Sequence, residues 1–120
     1  MEEAISHPQK FFAELGGLHD ADITQMSWDP IARLFKIDID DLNANFDGLP
    51  GYQGKKPATL AFAEIENLSA NCDAALEDTQ RIYKLEVEER ASGGFAMSLR
   101  ISPSGRVGFD FTTASLHAPN

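Results

Sequence analysis

A two-residue rhythm of apolar side chains limits what this chain can fold into. Phe35, Ile37 and Ile39 alternate with Lys36, Asp38 and Asp40, and Tyr83, Leu85 and Val87 alternate with Lys84, Glu86 and Glu88. Beyond a turn at Ala91-Ser92-Gly93-Gly94, Phe95, Met97, Leu99 and Ile101 alternate with Ala96, Ser98 and Arg100. Pro103-Ser104-Gly105 makes the next turn, and Val107, Phe109 and Phe111 complete the pattern. Successive side chains of a strand point to opposite faces, so each run reads as a strand with one dry and one wet face. Short turns join the last three runs into an antiparallel meander.

Earlier segments fill in the remainder. Residues 6–17 read as a short helix, with Ser6 as cap, Pro8 in the first turn and Gly16-Gly17 as terminator. Its stripe is Phe11, Leu15 and Leu18, widened by Phe12. From Ala21 the period is two: Ile23, Gln25 and Ser27 alternate with Asp22, Thr24, Met26 and Trp28. Asp29-Pro30 marks a turn, and the return run 31–40 closes a hairpin. Residues 41–57 form the one long loop. A third strand is expected over 58–66, with Leu60 and Phe62 inward and a bulge before Ile65 and Leu68. Asp73 is a candidate cap for a helical turn, and the tail beyond Leu116 is expected to fray. The sum is an α+β fold: about six mostly antiparallel strands, with the N-terminal helix packed on one face. Residues 1–120 are expected to make a single domain.

Charge narrows the function classes. Ten basic residues stand against nineteen acidic ones, a net charge of −9. That field repels phosphate backbones and anionic lipid, so neither nucleic acid nor a membrane is an expected partner, whereas a basic protein would be drawn in. Cys72 is the one cysteine, and the first residues carry acids where a secretion signal would carry bases. The expected location is the cytoplasm.

Three constellations hold residues of the types that chemistry needs. His19-Asp20, with Asp22 two residues on, is the residue set of a metal site, but the doublet reads far more simply as a cap of the helix-to-strand junction in which Asp20 accepts backbone N–H groups. Asn43, Asn45, Asp47 and Gly48 fit the first half of a calcium loop, but Gly54 stands where a bidentate carboxylate is needed. Asp38, Asp40 and Asp41 concentrate charge at a strand end; a solvated or partner-binding face explains them more simply than a catalytic pair does. Tyr52, among glycines and beside Lys55-Lys56, has the dress of a recognition loop, and Glu86 and Glu88 extend the acidic surface. No catalytic set assembles and no cofactor is implied.

The segment Phe12 to Ile23 is similar to the start of some small uncharacterised bacterial proteins. It also resembles a group of immunity proteins from polymorphic-toxin systems. In these, a Phe/Leu-His-Asp-Ala/Ser-x-Ile segment precedes a β-hairpin and a Pro-x-x-Leu-x-Phe strand follows, as at Pro57 to Phe62. The resemblance covers about half the chain and implies a mostly antiparallel fold with no established catalytic residues. The expected function is a non-enzymatic acidic binding protein, an immunity-type inhibitor of a basic protein, engaging it through Asp38, Asp40, Asp41, Tyr52, Glu86 and Glu88. The alternatives are a small metal-dependent enzyme or metal-binding protein using His19, Asp20 and Asp22, and a homodimeric accessory subunit; the expected state is monomer or homodimer.

Overall fold

The computed structural model describes residues 2–71, 80–102 and 104–118. Among these, nine strands and one α-helix form: β1 (Glu2–Ala4), α1 (Pro8–Glu14), β2 (Asp22–Asp29), β3 (Leu34–Ile39), β4 (Ala58–Ala63), β5 (Glu66–Asn71), β6 (Gln80–Glu89), β7 (Phe95–Ser102), β8 (Arg106–Phe111) and β9 (Thr113–His117). All pair antiparallel in one sheet of order β1-β9-β4-β3-β2-β6-β7-β8-β5. Cys72 and the expected helical turn at Asp73 lie outside the described residues.

The sheet is really two half-sheets joined at a narrow seam. β2 and β6 pair only at Asp22–Arg81 and Ile23–Gln80, extended by the hydrogen bonds Asp20 N to Ile82 O and Ile82 N to Ala21 O, each 2.9 Å. Beyond the seam the halves diverge and their apolar faces meet. The ring of Phe109 on β8 lies 5.1 Å from Phe35 on β3 and 5.2 Å from Phe62 on β4, and Phe111 lies 5.0 Å from Phe62. Offset and edge-to-face rings at these spacings attract beyond their burial, so the four phenylalanines weld the halves into a sandwich. The core also takes Ile37, Ile39, Leu60, Leu99 and Val107, all essentially sealed from water.

The expected α+β fold, hairpin and meander are present, but with nine strands where about six were anticipated. Two of the nine lack the alternation that marks a strand. β1 is Glu-Glu-Ala at the sheet edge, fully exposed. β5, Glu-Asn-Leu-Ser-Ala-Asn, is the other edge and offers the interior only the half-buried Leu68. β9, Thr-Ala-Ser-Leu-His, does alternate, with Ala114 and Leu116 buried; β1 on one side and β4 on the other hold it as far as His117, one residue past Leu116, and residues 119–120 of the tail expected to fray lie outside the described residues.

Local departures have local causes. The 58–66 strand breaks after Ala63, because Glu64 adopts φ 57° and turns the chain from one half-sheet to the other. The return strand starts at Leu34, not Ile31, because Asp29 Oδ1 accepts the N–H groups of Ile31 (3.0 Å) and Ala32 (3.1 Å) and lengthens the turn. A bulge between Ile82 and Lys84 shifts the register of β6. One inserted residue exchanges the faces of a strand, so Ile82, not Tyr83, joins Leu85 inside, and Tyr83 stands 58% exposed.

The helix begins at Pro8 with His7, not Ser6, at its cap position, and no side chain caps it. Phe12 rather than Phe11 is its buried centre, its ring 6.3 Å from that of Phe62. Gly16 and Gly17 take φ of 66° and 68°, a backbone that suits glycine, and end the helix as expected. Leu18 is then delivered fully buried into the core.

Candidate functional site

The loop after β3 is organised by one carboxylate. Asp41 is 4% exposed. Its Oδ1 accepts the N–H groups of Asn43 (2.9 Å) and Lys56 (3.0 Å), and its Oδ2 accepts the Tyr52 hydroxyl at 2.6 Å. Leu42 N donates to Lys56 O at 2.8 Å, and the Asn43 side-chain amide donates to Gly54 O at 3.0 Å. Both ends of the 41–57 loop are thereby tied together. Burial alone would push the Asp41 carboxyl up; the bonds from Tyr52, Asn43 and Lys56, with the charge of Lys55, outweigh it and hold it below its ordinary range. The same bond to Asp41, reinforced by desolvation and by the charges of Asp41, Asp47 and Asp40, raises the Tyr52 phenol to about 12.

Beside this loop the ends of β2 and β3 gather carboxylates. Asp40 Oδ1 accepts the Asp22 N–H at 2.9 Å, and Asp40 N donates to Asp22 O at 3.0 Å. Asp38 projects from the wet face of β3, where its Oδ1 accepts the Thr59 hydroxyl at 2.7 Å. Two cations are threaded among these acids. Lys55 Nζ lies 3.5 Å from Asp40 Oδ2, and Arg81 Nε donates to Asp22 Oδ1 at 2.9 Å. Hydrogen bonding and charge from Asp22, with Asp20 and Asp40 beyond, raise the Arg81 pKa further above its ordinary value. Asp20 contributes an exposed carboxylate 3.3 Å from His19 Nδ1.

The structure therefore divides the residues singled out from the sequence. Asp38 and Asp40 stand together at one acidic end. Asp41 and Tyr52 are joined to each other and shape that end from below, with Asp41 out of reach of a partner. Glu86 and Glu88 sit elsewhere, on the exposed face of β6 opposite Ser98 and Ala96, about 16 Å or more along the strand from Arg81. His19, Asp20 and Asp22 do not converge as a trio, because Asp22 turns to Arg81 while Asp20 turns to His19; among the described residues no backbone N–H donates to the Asp20 carboxylate, where the junction reading expects such bonds. Among the described residues no three His, Cys, Asp or Glu side chains gather as a metal site would require. Asn43 spends its amide on Gly54 O, and Ala44–Phe46 winds into a 3-10 turn rather than a calcium loop. Arg81, which the sequence did not single out, is visible only once strand pairing sets it opposite Asp22.

No protein-family model and no curated protein matches the chain. Among the described residues no helix is long and apolar enough to cross a membrane.

Proposed function

We propose that the chain is a non-enzymatic binding protein whose acidic end engages a basic protein partner, as an immunity-type inhibitor does. The observation that carries the reading is the fixed gathering of Asp22, Asp38 and Asp40, with Asp20 at its edge. Asp22, Asp38 and Asp40 are each held by a hydrogen bond or ion pair within the fold, so little ordering remains to be done on binding. The net charge of −9 steers a cationic partner toward the protein, and the gathered carboxylates give it a place to stop. Inhibition then amounts to covering the partner's basic surface.

Calorimetric titration against the product of the adjacent gene tests the reading. A complex is expected that weakens steeply between about 50 and 300 mM salt, and that weakens again in Asp38→Asn/Asp40→Asn. Absence of a complex, or one indifferent to both salt and substitution, counts against it.

A further inference from the structure

Lys84, Arg100 and Arg106 stand in one row across three strands. The register sets Lys84 opposite Arg100 and Arg100 opposite Arg106, and Asn71 continues the row on β5. All three cations are exposed, while Leu85, Leu99, Ile101 and Val107 beside them face the core. Like charges directly opposite on neighbouring strands repel. In a chain with nineteen acids for ten bases, three cations have been aligned rather than dispersed. Lys84 has Glu86 at 3.0 Å, but neither Arg100 nor Arg106 makes an ion pair among the described residues. The exposed Tyr83 ring lines the same shallow depression as Arg100, Ser102 and Arg106, and Ser98 and Gly108 keep the neighbouring ground low.

We propose that this row docks a short acidic segment of a partner protein in extended conformation. Charge complementarity fixes the sign, since a guanidinium without a counter-ion is matched best by a carboxylate accepting its forked N–H groups. Geometry fixes the size. Three strands span about 10 Å, the reach of two or three extended residues. Tyr83 flanks the row and gives the segment an aromatic wall. A long polyanion such as nucleic acid fits poorly, because Glu86 and Glu88 on β6 and Asp110 on β8 border the row on the same face and would meet any chain that runs past the three cations, whereas a short segment stays upon them. The site is separate from the acidic end and does not rest on the function proposed above.

Fluorescence anisotropy with labelled hexaglutamate, at about 50 mM salt, tests the site on the whole chain. Saturable binding is expected below about 1 mM, with a loss of about tenfold in each of Arg100→Gln and Arg106→Gln and none in Asp38→Asn. Gln keeps the side-chain stem and removes the repulsion, so both variants should melt at or above the wild-type temperature; if Arg100→Gln fails to fold, Arg106→Gln alone decides. No saturation by about 1 mM, binding indifferent to both substitutions, or tighter binding of a six-residue oligothymidylate would each overturn the proposal.

Discussion

The Tyr52 hydroxyl donates a 2.6 Å hydrogen bond to Oδ2 of Asp41, while the other oxygen of that carboxylate takes two backbone N–H groups from opposite ends of the same loop. Both oxygens of this carboxylate are engaged within its own loop, so it acts as a clasp.

Opening the clasp should cost stability. Asp41→Ala leaves the N–H groups of Asn43 and Lys56 without their acceptor in a buried setting, a loss of about 2–4 kcal/mol in urea unfolding. Tyr52→Phe removes one bond of the three and should lose less. An Asp41→Ala protein as stable as wild type would show that the loop is held elsewhere.

The pH dependence follows from the two shifts. The Asp41 carboxyl is lower in the folded protein than its ordinary 3.8, so its contribution is complete above that pH and is lost as pH falls through the lower folded value. The Tyr52 phenol is raised from 10.0 to about 12, so its contribution is complete below pH 10 and is lost as pH rises through 12. Ultraviolet titration should show one of the two tyrosines ionising only near pH 12, and Asp41→Asn should bring that titration down.

The aromatic weld between the half-sheets predicts a large core effect. Phe62 is fully buried and touches Phe12, Phe109 and Phe111. Phe62→Ala should cost about 3–5 kcal/mol and loosen α1 along with the sandwich, read as a joint loss of helix and near-ultraviolet dichroism.

The turn between β6 and β7 depends on one glycine. Gly94 has φ 75°, and a Cβ there would meet the Phe111 carbonyl oxygen at 2.8 Å. Since that oxygen belongs to backbone and cannot swing aside, Gly94→Ala should destabilise by about 2 kcal/mol. Gly93→Ala, whose Cβ meets no atom within 4 Å, should suffer only the backbone part of that penalty.

Legibility in the sequence followed how much each segment owed to its own residues. Phe35 to Ile39, Phe95 to Ile101 and Val107 to Phe111 each alternate without interruption, and their faces are as their spacing implies. β1 and β5 are strands by virtue of what they pair with, and nothing in Glu-Glu-Ala or Glu-Asn-Leu-Ser-Ala-Asn announces it. The spacing predicts Tyr83 inside, because a period of two carries no warning of a one-residue bulge. Within Asp38, Asp40 and Asp41 the three carboxylates look alike as letters. Strand alternation alone turns Asp38 outward, and only the backbone's turn after Ile39 keeps Asp40 at the surface and folds Asp41 beneath the loop. The row of Lys84, Arg100 and Arg106 is scattered along the chain and becomes a row only through register.

The narrow seam at Asp22–Arg81 and Ile23–Gln80 means that the two half-sheets share almost no ladder. What binds one to the other is grease, not amide bonding. Warming or denaturant that weakens ring contact should therefore part the molecule like the covers of a book, each cover keeping its own strands for longer than it keeps its neighbour. Amide exchange would then divide protection along the spine, with β3-β4-β9 on one side and β6-β7-β8 on the other.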